Sequence, residues 1–492
     1  MTLRYGVIAV TRQLVVGSLL CGTFCFAASS ACEVPEVCGV EEVIRRVTEL
    51  YGVLELAAAS PPNPYEAIWK GAIQGMLRQL DPHSVFLDPD EFRQLQELQT
   101  STQKGFGTVV SVMPGRVVVL QTVPGTPSAR AGIEPGDEIL AINGIPLQWL
   151  SVEELVELLS RSRRQQVRLQ LRRVGREGLI EVTMTPEQVE APSVDLVCFL
   201  APGIGYVRVK SFEAETAVRL KQAIEKLGGE RLAGLVLDLR DNPGGLMDAA
   251  LEVASLFLEP GKILVSVRGR NQVKQTITVP EGARPYRFPL VVLVDDRTAS
   301  GAEIVAAALK DHQRAKLVGM RTYGKGLVQS VYALSEGAGL ALTTAYYFTP
   351  GGYSIQRPLR QGQLRQLGEA EPVAGGVQPD QVVYPEPTTR LRMALEASGA
   401  FPLFAAQWLR AHGPIDDGFE VTSSLLDEFQ AFLAVRGIQP SVAEWSPERE
   451  WIRSRLKQEL FNQALGVERG DQVALERDPQ VLKALEVLTR AG

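Results

Sequence analysis

Two positions in this 492-residue sequence combine a reactive side chain with a backbone setting that could use it. The first is Ser300, which follows an apolar run, 289–294, and directly precedes an alanine-rich segment, 301–309. This pattern predicts a buried strand, a short turn and then a helix that begins at the serine. Free N–H groups at a helix N-terminus stabilise developing negative charge, so a serine there could act as a nucleophile. An ordinary helix-capping serine is the alternative interpretation.

The second position is Lys325, in the glycine-rich segment 319–326. The spacing of Gly319, Gly324 and Lys325 matches part of a phosphate-binding P-loop. Gly326, however, stands where that motif needs Ser or Thr to hold magnesium, and residues 327–334 indicate a strand rather than a helix. A nucleotide-binding loop is therefore disfavoured. The lysine is either solvated or, if burial lowers its pKa toward neutrality, able to act as a general base.

A third segment offers backbone chemistry rather than a reactive side chain. The apolar strand predicted over 235–239 runs into a turn that contains Pro243, Gly244 and Gly245. Glycines let backbone N–H groups converge on an oxyanion. Taken alone, the segment is an ordinary turn.

The sequence contains few residues that could form a metal site or a serine–histidine catalytic pair. Its three histidines, His83, His312 and His412, form no HExxH arrangement, and cysteine is sparse. His312 lies near the end of the helix that Ser300 begins, and a rise of ~1.5 Å per residue separates the two by about 18 Å. We therefore predict no metal ion and no cofactor.

The composition indicates a multidomain globular protein. Hydrophobic residues make up 45% of the chain and charged residues 22%, and the length suggests three or more packed units. The net charge is −6, and no basic run dominates any segment. Nucleic-acid binding is therefore disfavoured.

The pattern of predicted elements changes along the chain. Residues 40–100 indicate helices, 105–187 short strands with glycine turns and one helix over 152–159, and 200–387 alternating strands and helices. An apolar stripe on one N-terminal helix consists of Ile68, Ala72, Met76 and Leu80. The last hundred residues are predicted to be helical. Their candidate core positions are Leu391, Leu395, Leu425, Phe429, Phe432 and Leu433.

The first thirty residues indicate an export signal. Arg4 and Arg12 precede an apolar run, 14–28, and small residues follow it. A short buried helix and an uncleaved membrane anchor are the alternatives. Cys32 follows small residues in a weak likeness to a lipoprotein cleavage site, and without lipidation it could form a disulfide bond with Cys38.

Taken together, these segments resemble the carboxy-terminal processing peptidases, also called tail-specific proteases, over residues 65–385. The motifs that carry the resemblance are DPHS at 81–84, GFGT at 105–108, GTP at 125–127, AGI at 131–133, PGD at 135–137, ING at 142–144, GYV at 205–207, DLRDNPGG at 238–245, TASGAE at 298–303, GKGLVQ at 324–329, YFTPGG at 347–352, SIQ at 354–356 and PD at 379–380.

By this resemblance Ser300 is the nucleophile, Lys325 the general base and Gln329 the residue that orients the lysine. Backbone N–H groups of two glycines would form the oxyanion hole: that of Gly244 or Gly245, together with that of Gly301. Lys325 and Gln329 are four residues apart, which is about 13 Å on a straight strand but adjacent on a helical turn. We therefore expect a turn at Lys325 before the next strand begins.

The resemblance also implies a PDZ domain that binds the carboxyl terminus of a substrate. PDZ domains add the bound peptide to a sheet as an extra strand, and their backbone N–H groups hold its carboxylate. The candidate carboxylate loop is formed by Gly105, Phe106, Gly107 and Thr108. A solvated glycine turn is the alternative interpretation.

The predicted fold is α+β and multidomain. It comprises a crotonase-like α/β protease core, an inserted or preceding PDZ β-barrel domain, and helical N- and C-terminal regions. The expected boundaries are a signal peptide over 1–31, an N-terminal helical region over 32–100, the PDZ domain over 101–190, the Ser-Lys protease core over 191–387 and the C-terminal helical region over 388–492.

The predicted function is that of a serine endopeptidase that cleaves exported proteins near their carboxyl termini. Its partners would be proteins or peptides with a free carboxyl terminus, and no nucleic acid. We expect an exported, periplasmic protein; attachment to the membrane through the N-terminal segment and assembly into a homo-oligomer stay open. The alternative functions are a catalytically silent PDZ adaptor and a nucleotide-dependent enzyme.

The sequence departs from the family pattern at three places. Gly301 follows the nucleophile where the family usually has alanine. Residues 357–375 read as an insertion, and the last hundred residues carry no recognisable motif.

Overall fold

The structure is a computed structural model that describes residues 39–61, 63–98, 102–163, 165–190, 192–270, 275–358 and 375–491. The chain divides into two compact units, residues 1–68 and 69–492. The predicted signal peptide, the Cys32–Cys38 pair and nearly all of the predicted insertion at 357–375 lie outside the described residues.

The N-terminal part is mostly helical. Its elements are α1 (Val40–Ala57), a π-helix (Glu66–Ile73), α2 (Gln74–Arg78), β1 (Val85–Leu87), α3 (Pro89–Leu98) and β2 (Thr102–Gly105). No residue of α1 is buried. The predicted apolar stripe is not the buried face of its helix, because Met76 is 62% and Leu80 41% exposed. Leu77 is buried instead and packs with Phe86 of β1.

A small β-rich domain follows, as the glycine-punctuated pattern predicted. Its elements are β3 (Thr108–Met113), β4 (Arg116–Thr122), α4 (Pro127–Arg130), β5 (Glu138–Ile142), β6 (Ile145–Pro146), a 3-10 turn (Leu147–Trp149), α5 (Val152–Ser162), β7 (Val167–Arg172), β8 (Ile180–Met184) and β9 (Glu187–Glu190).

The sheet of this domain has an edge strand that lies beside a helix. Its strands follow the order β3-β4-β5-β7-β8, with β6 paired to β5, while β9 pairs with β2. Alternate residues of β7 are buried, which is the one-sided strand that the sequence predicted. Among the described strands, β3 pairs with β4 alone, and α5 lies next to β3.

The central part alternates strands and helices, as the sequence predicted. Its elements are β10 (Val194–Ala201), β11 (Ile204–Val209), α6 (Thr216–Lys226), a 3-10 turn (Gly229–Arg231), β12 (Gly234–Asp238), α7 (Met247–Ser255), β13 (Ile263–Gly269), β14 (Gln275–Thr278), β15 (Leu290–Val294), α8 (Gly301–Asp311), β16 (Lys316–Gly319), β17 (Leu327–Ala333), a 3-10 turn (Ser335–Gly337), β18 (Gly339–Phe348) and β19 (Gln381–Val382).

The main sheet of this part follows the order β10-β11-β12-β15-β16-β19, and all pairs except β10–β11 are parallel. Strands β12 and β15 are buried along their whole length, because both faces of the sheet are covered. Helices α6, α7 and α8 cover one face. A second, antiparallel sheet follows the order β1-β18-β13-β14, with β17 paired to β18.

The C-terminal region is helical, as the sequence predicted. Its helices are α9 (Arg390–Ser398), α10 (Ala400–His412), α11 (Ser423–Val435), α12 (Val442–Ala464), α13 (Val467–Leu475) and α14 (Pro479–Ala491). All six predicted core positions of this region are buried. The rings of Phe401 and Phe429 stack at 5.1 Å between centroids in the centre of this core.

The C-terminal region contacts both the small β-rich domain and the central α/β part. Helix α14 covers the second face of the main sheet, where Leu488 packs with Val291 and Val318. On the other side, the N–H of Val467 donates to Gln121 Oε1 at the end of β4, at 3.0 Å. The region therefore joins the small β-rich domain to the central α/β part.

Among the described residues, no helix is long and apolar enough to cross a membrane.

Candidate active site

Ser300 lies in the turn between β15 and α8, as predicted. It adopts φ 55° and ψ −118°, a backbone conformation that non-glycine residues rarely adopt. The turn is held by Asp295 Oδ1, which accepts from the N–H groups of Thr298 at 2.9 Å and Asp241 at 3.1 Å. The local fold therefore imposes the strained conformation of the serine.

The carboxylate of Glu303, one turn into α8, joins this serine to the loop that carries the lysine. Its Oε2 accepts from the N–H of Ser300 at 2.9 Å and from the N–H of Lys325 at 2.8 Å. Its Oε1 accepts from the N–H of Gly324 at 2.7 Å and from Thr322 Oγ1 at 2.5 Å. The side chain is fully buried. Burial raises the pKa of Glu303, and the four hydrogen bonds oppose that shift.

Lys325 is half-buried, and burial lowers the pKa of its ammonium group. The turn predicted here is wrong: residues 321–326 form no helical turn, and β17 begins at Leu327. A β-bulge lies between Val328 and Gln329, so the lysine and the glutamine are not separated by a regular strand.

The DPHS turn, residues 81–84, lies beside the lysine and the glutamine. Gln329 donates its amide hydrogen to the carbonyl oxygen of His83 at 2.8 Å. Burial lowers the pKa of His83, and the positive charge of Lys325 lowers it further. The turn is fixed by Asp81 Oδ1, which accepts from the N–H groups of His83 and Ser84, both at 2.7 Å.

The backbone places the candidate oxyanion glycines against the serine. Gly244 has φ +97°, and a Cβ atom added there would lie 2.8 Å from Ser300 Cβ and 2.9 Å from Gly301 N. Its own N–H is already donated to Asn242 Oδ1 at 2.8 Å. Among the described residues, none accepts a hydrogen bond from the N–H of Gly245 or Gly301. Gly245 and Gly301, unlike Gly244, thus keep an N–H group without an acceptor among the described residues.

The glycine at position 301 leaves limited space. A Cβ atom there would lie 3.3 Å from Ala250 Cβ, 3.7 Å from Phe212 Cδ2 and 3.8 Å from Gly245 N. The alanine that is usual in the family would therefore be tight but would not collide with backbone.

A groove of about 350 Å³ lies between β3 and α5. The predicted carboxylate loop, 105–108, lines one end of it. The carbonyl of Phe106 accepts from Ser128 N at 2.9 Å, and that of Gly107 from Val123 N at 2.8 Å. Within the described residues, the N–H groups of Phe106 and Gly107 have no acceptor. The remaining walls are mostly apolar, with the cationic Lys104 and Arg163 among them.

The predicted site residues thus form two groups, one around Ser300 and one in this groove. In the part of the chain that the structure describes, no hydrogen bond joins the side chains of Ser300, Lys325 and Gln329 to one another. The contacts that Glu303 and the His83 carbonyl make here were not predicted from the sequence. The S-x-x-E spacing of Ser300 and Glu303, which is that of a capping box, was the available signal for the first.

In the described chain, no three His, Cys, Asp or Glu residues cluster closely enough to hold a metal ion.

Known proteins are similar to this chain over its central part and its small β-rich domain. Residues 203–383 match the sequence profile of peptidase family S41, and residues 118–173 match that of the PDZ domain. A carboxyl-terminal-processing protease of Synechocystis is 37% identical over 292 residues, which cover 58% of this chain and 68% of the relative. The carboxy-terminal processing protease CtpA of Bacillus subtilis is 34% identical over 288 residues, 58% of this chain and 61% of the relative.

A solved structure of a photosystem II D1 C-terminal processing protease is 31% identical, with a TM-score of 0.42 over 70% of this chain and 88% of that one. The matched profiles define a serine-type peptidase that carries a PDZ domain. The chain belongs to the carboxyl-terminal processing proteases of peptidase family S41.

The hydrogen bonds of Glu303 generate a prediction. Glu303→Gln replaces one carboxylate oxygen with an NH₂ group. Each carboxylate oxygen accepts from at least one backbone N–H, so in either orientation the NH₂ group faces a donor and that hydrogen bond is lost. We expect the free energy of unfolding to fall by about 1–3 kcal/mol and kcat to fall at least about tenfold. Denaturant titration and peptide hydrolysis measure the two quantities.

Glu448→Gln is the matched control, because Glu448 is also buried but accepts from Arg392 within the C-terminal region. It should lower stability and leave kcat unchanged. Equal kcat in the two variants would mean that Glu303 does not position the serine and lysine segments.

Proposed function

We propose that this protein is a serine endopeptidase that cleaves exported proteins near their carboxyl termini. Ser300 is the nucleophile, Lys325 the general base and Gln329 the residue that orients the lysine. The oxyanion hole consists of the N–H groups of Gly245 and Gly301. The protein acts in the periplasm, and its core has the crotonase-like arrangement. The predicted domain boundaries form part of the same proposal.

The observation that carries the proposal is one hydrogen-bond acceptor, the carboxylate of Glu303, that the serine segment and the lysine segment share. One oxygen atom of Glu303 lies within 2.9 Å of the backbone nitrogens of both Ser300 and Lys325. A nucleophile and its base must lie within hydrogen-bond reach during the reaction, and such contacts often tighten only when substrate binds. The shared oxygen brings the two residues into one neighbourhood before any substrate is present.

The proposed reaction begins with a neutral lysine. Ser300 Oγ attacks the carbonyl carbon of the scissile bond while its proton passes to Lys325 Nζ. The negative charge on the former carbonyl oxygen is stabilised by the N–H groups of Gly245 and Gly301. The C–N bond then breaks, and the leaving amine takes the proton from the lysine.

The second half of the reaction regenerates the enzyme. A water molecule gives a proton to Lys325 and attacks the acyl carbon. The ester bond to Ser300 breaks, the serine oxygen recovers the proton, and the new carboxyl terminus is released. Burial supports this role, because it disfavours the ammonium form and leaves the amine able to accept a proton.

The groove beside β3 supports recognition of a free carboxyl terminus. An unpaired edge strand next to a helix is suited to a peptide that adds as a further strand. The N–H groups of Phe106 and Gly107 are available to a carboxylate at the end of that strand. Lys104 and Arg163 add positive charge to the groove.

The first prediction for this function concerns the two catalytic residues. Ser300→Ala and Lys325→Ala should each abolish hydrolysis of an unstructured protein substrate without unfolding the chain. Lys325→Arg should also be inactive, because a guanidinium stays protonated and cannot accept a proton. Matched controls are Ser255→Ala on α7 and Lys316→Arg, whose side chain is 63% exposed. Retained activity in Ser300→Ala or Lys325→Ala would exclude the pair as the catalytic residues. No hydrolysis by the unmodified protein would favour the catalytically silent PDZ adaptor instead.

A second prediction concerns pH. Below its pKa the ammonium of Lys325 has no lone pair, so kcat/KM should rise with pH as the proton is lost. The inflection should lie below the ordinary lysine value of 10.5, because burial lowers this pKa. The pKa of His83 is lowered from 6.5, so we expect the histidine to lose its proton at a more acidic pH than an ordinary histidine does. An inflection that disappears in His83→Asn would assign it to the histidine and contradict the prediction.

A third prediction concerns the peptide-binding groove. Amidation of a test peptide removes its terminal charge and leaves the scissile bond intact. We expect kcat/KM to fall about tenfold or more, since a charge-assisted contact contributes about 1.5–3 kcal/mol. Equal rates for the free and amidated peptides would show that the groove does not bind the terminal carboxylate.

Two glycine variants provide the control. In Gly107→Ala the new Cβ would lie 2.2 Å from Thr126 Oγ1, so the loop must shift and the preference for the free terminus should disappear. Gly125 also has a positive φ, +78°, but no atom of the described residues lies within 4 Å of an added Cβ. Gly125→Ala should therefore retain the preference.

A further inference from the structure

Arg240 occupies the corner between β12 and the loop that carries the oxyanion glycines. Its side chain is 16% exposed. Its Nε lies 3.0 Å from both carboxylate oxygens of Asp238, and one terminal nitrogen donates to Asp238 Oδ2 at 2.6 Å. Asp238 is itself held by the hydroxyl of Tyr206 at 2.6 Å. The arginine is therefore fixed to the end of the central strand on one side.

The other side of the guanidinium is held by the C-terminal region. Its second terminal nitrogen donates to Asp478 Oδ2 at 2.5 Å and to Gln480 Oε1 at 2.8 Å. Gln480 is 4% exposed, and its amide nitrogen donates to the carbonyl of Val383 at 2.7 Å. Asp478 Oδ1 accepts from the N–H of Gln480 at 2.8 Å, so the same carboxylate also caps α14.

A shift of Arg240 would be transmitted to Ser300 through only a few intervening residues. Asp241, the next residue, has φ +57°, and the buried amide of Asn242 donates to Val209 O at 2.8 Å. The carbonyl of Asn242 accepts from the N–H of Ala299 at 2.9 Å, immediately before Ser300. This loop thus has little freedom to absorb a shift at one end while the other end stays in place.

We propose that Asp478 and Gln480 are positioning residues for the peptidase, because they hold Arg240 and thereby fix the loop that presents Gly245 to Ser300. The inference rests on the proposed function. It assigns a role in the reaction to the C-terminal helical region, which lies beyond the residues that match the peptidase profile.

A second ion pair between the same parts of the protein provides a matched comparison. Arg208 of β11 lies 2.5 Å from Asp471 of α13, and Arg240 lies 2.5 Å from Asp478. The side-chain exposures are also close, 30% for Asp471 and 22% for Asp478. Arg208, however, is not part of the loop that reaches Ser300. If these pairs only attach the C-terminal region, the two aspartates should be equivalent in every assay.

The experiment compares Asp478→Asn with Asp471→Asn in the full-length protein, using peptide hydrolysis and thermal unfolding. Asparagine is a good helix cap, so the first variant keeps the cap of α14 and loses the charge on Arg240. We expect kcat to fall at least about tenfold in Asp478→Asn, with KM changed by less than about twofold, as small misplacements of reacting groups cost rate. Asp471→Asn should keep the kcat of the unmodified protein.

A double-mutant cycle tests whether Asp478 acts through Arg240. In an Arg240→Lys background, Asp478→Asn should lower kcat by a much smaller factor than it does alone, because the contact it removes is already disrupted. The same fold-loss in both backgrounds would overturn the proposal. So would equal kcat values for Asp478→Asn and Asp471→Asn.

The proposed function is tested separately by Ser300→Ala in the same assay. If Ser300→Ala is active, the function fails whatever the aspartate variants do. If Ser300→Ala is inactive and the two aspartate variants have equal kcat, the function stands and the positioning role of Asp478 fails.

Discussion

The site depends on one buried carboxylate, that of Glu303. Burying a charge without partners costs several kcal/mol, so a fully buried glutamate is stable only where donors converge on it. Here the donors are the N–H groups of Ser300, Gly324 and Lys325 and the hydroxyl of Thr322. If the lysine loop moved away, it would leave the carboxylate without three of its four partners. The spacing between the serine and lysine segments is therefore set by a side chain that need not contact the substrate.

The same arrangement keeps the carboxylate from acting on the lysine as a counter-ion. Glu303 binds the main-chain nitrogen of Lys325, whereas an ion pair with the ammonium group would favour the protonated form and raise its pKa. Burial lowers that pKa instead. The charge of Lys325 also lowers the pKa of His83, and this mutual repulsion disfavours a second positive charge beside the lysine. Under the proposed function, the backbone N–H of Lys325 fixes the position of the residue and its side-chain amine accepts the proton.

The sequence predicted features that depend on neighbouring residues, and it failed for features that depend on contacts between residues far apart in the chain. The strand, turn and helix around Ser300 follow from local patterns, and the alternation of strands and helices is confirmed. The turn expected at Lys325 was wrong, because a β-bulge rather than a helical turn lies before Gln329. The choice between Gly244 and Gly245 depends on where one N–H points, which residue types do not encode. Burial of Leu77 rather than its neighbours depends on a strand that packs against it.

The contact between Arg240 and the C-terminal region has a consequence for how the enzyme matures. Asp478 follows Arg240 by 238 positions, so translation at roughly 5–20 residues per second separates their synthesis by roughly 10 to 50 s. In the later part of that interval, after Lys325 has been added, the nascent chain contains both Ser300 and Lys325 but still lacks the side chains that hold the arginine. Under the proposed role of Asp478, full proteolytic activity begins only once the last helices have docked. Neighbouring unfolded chains would thereby be spared by a peptidase that is still being made.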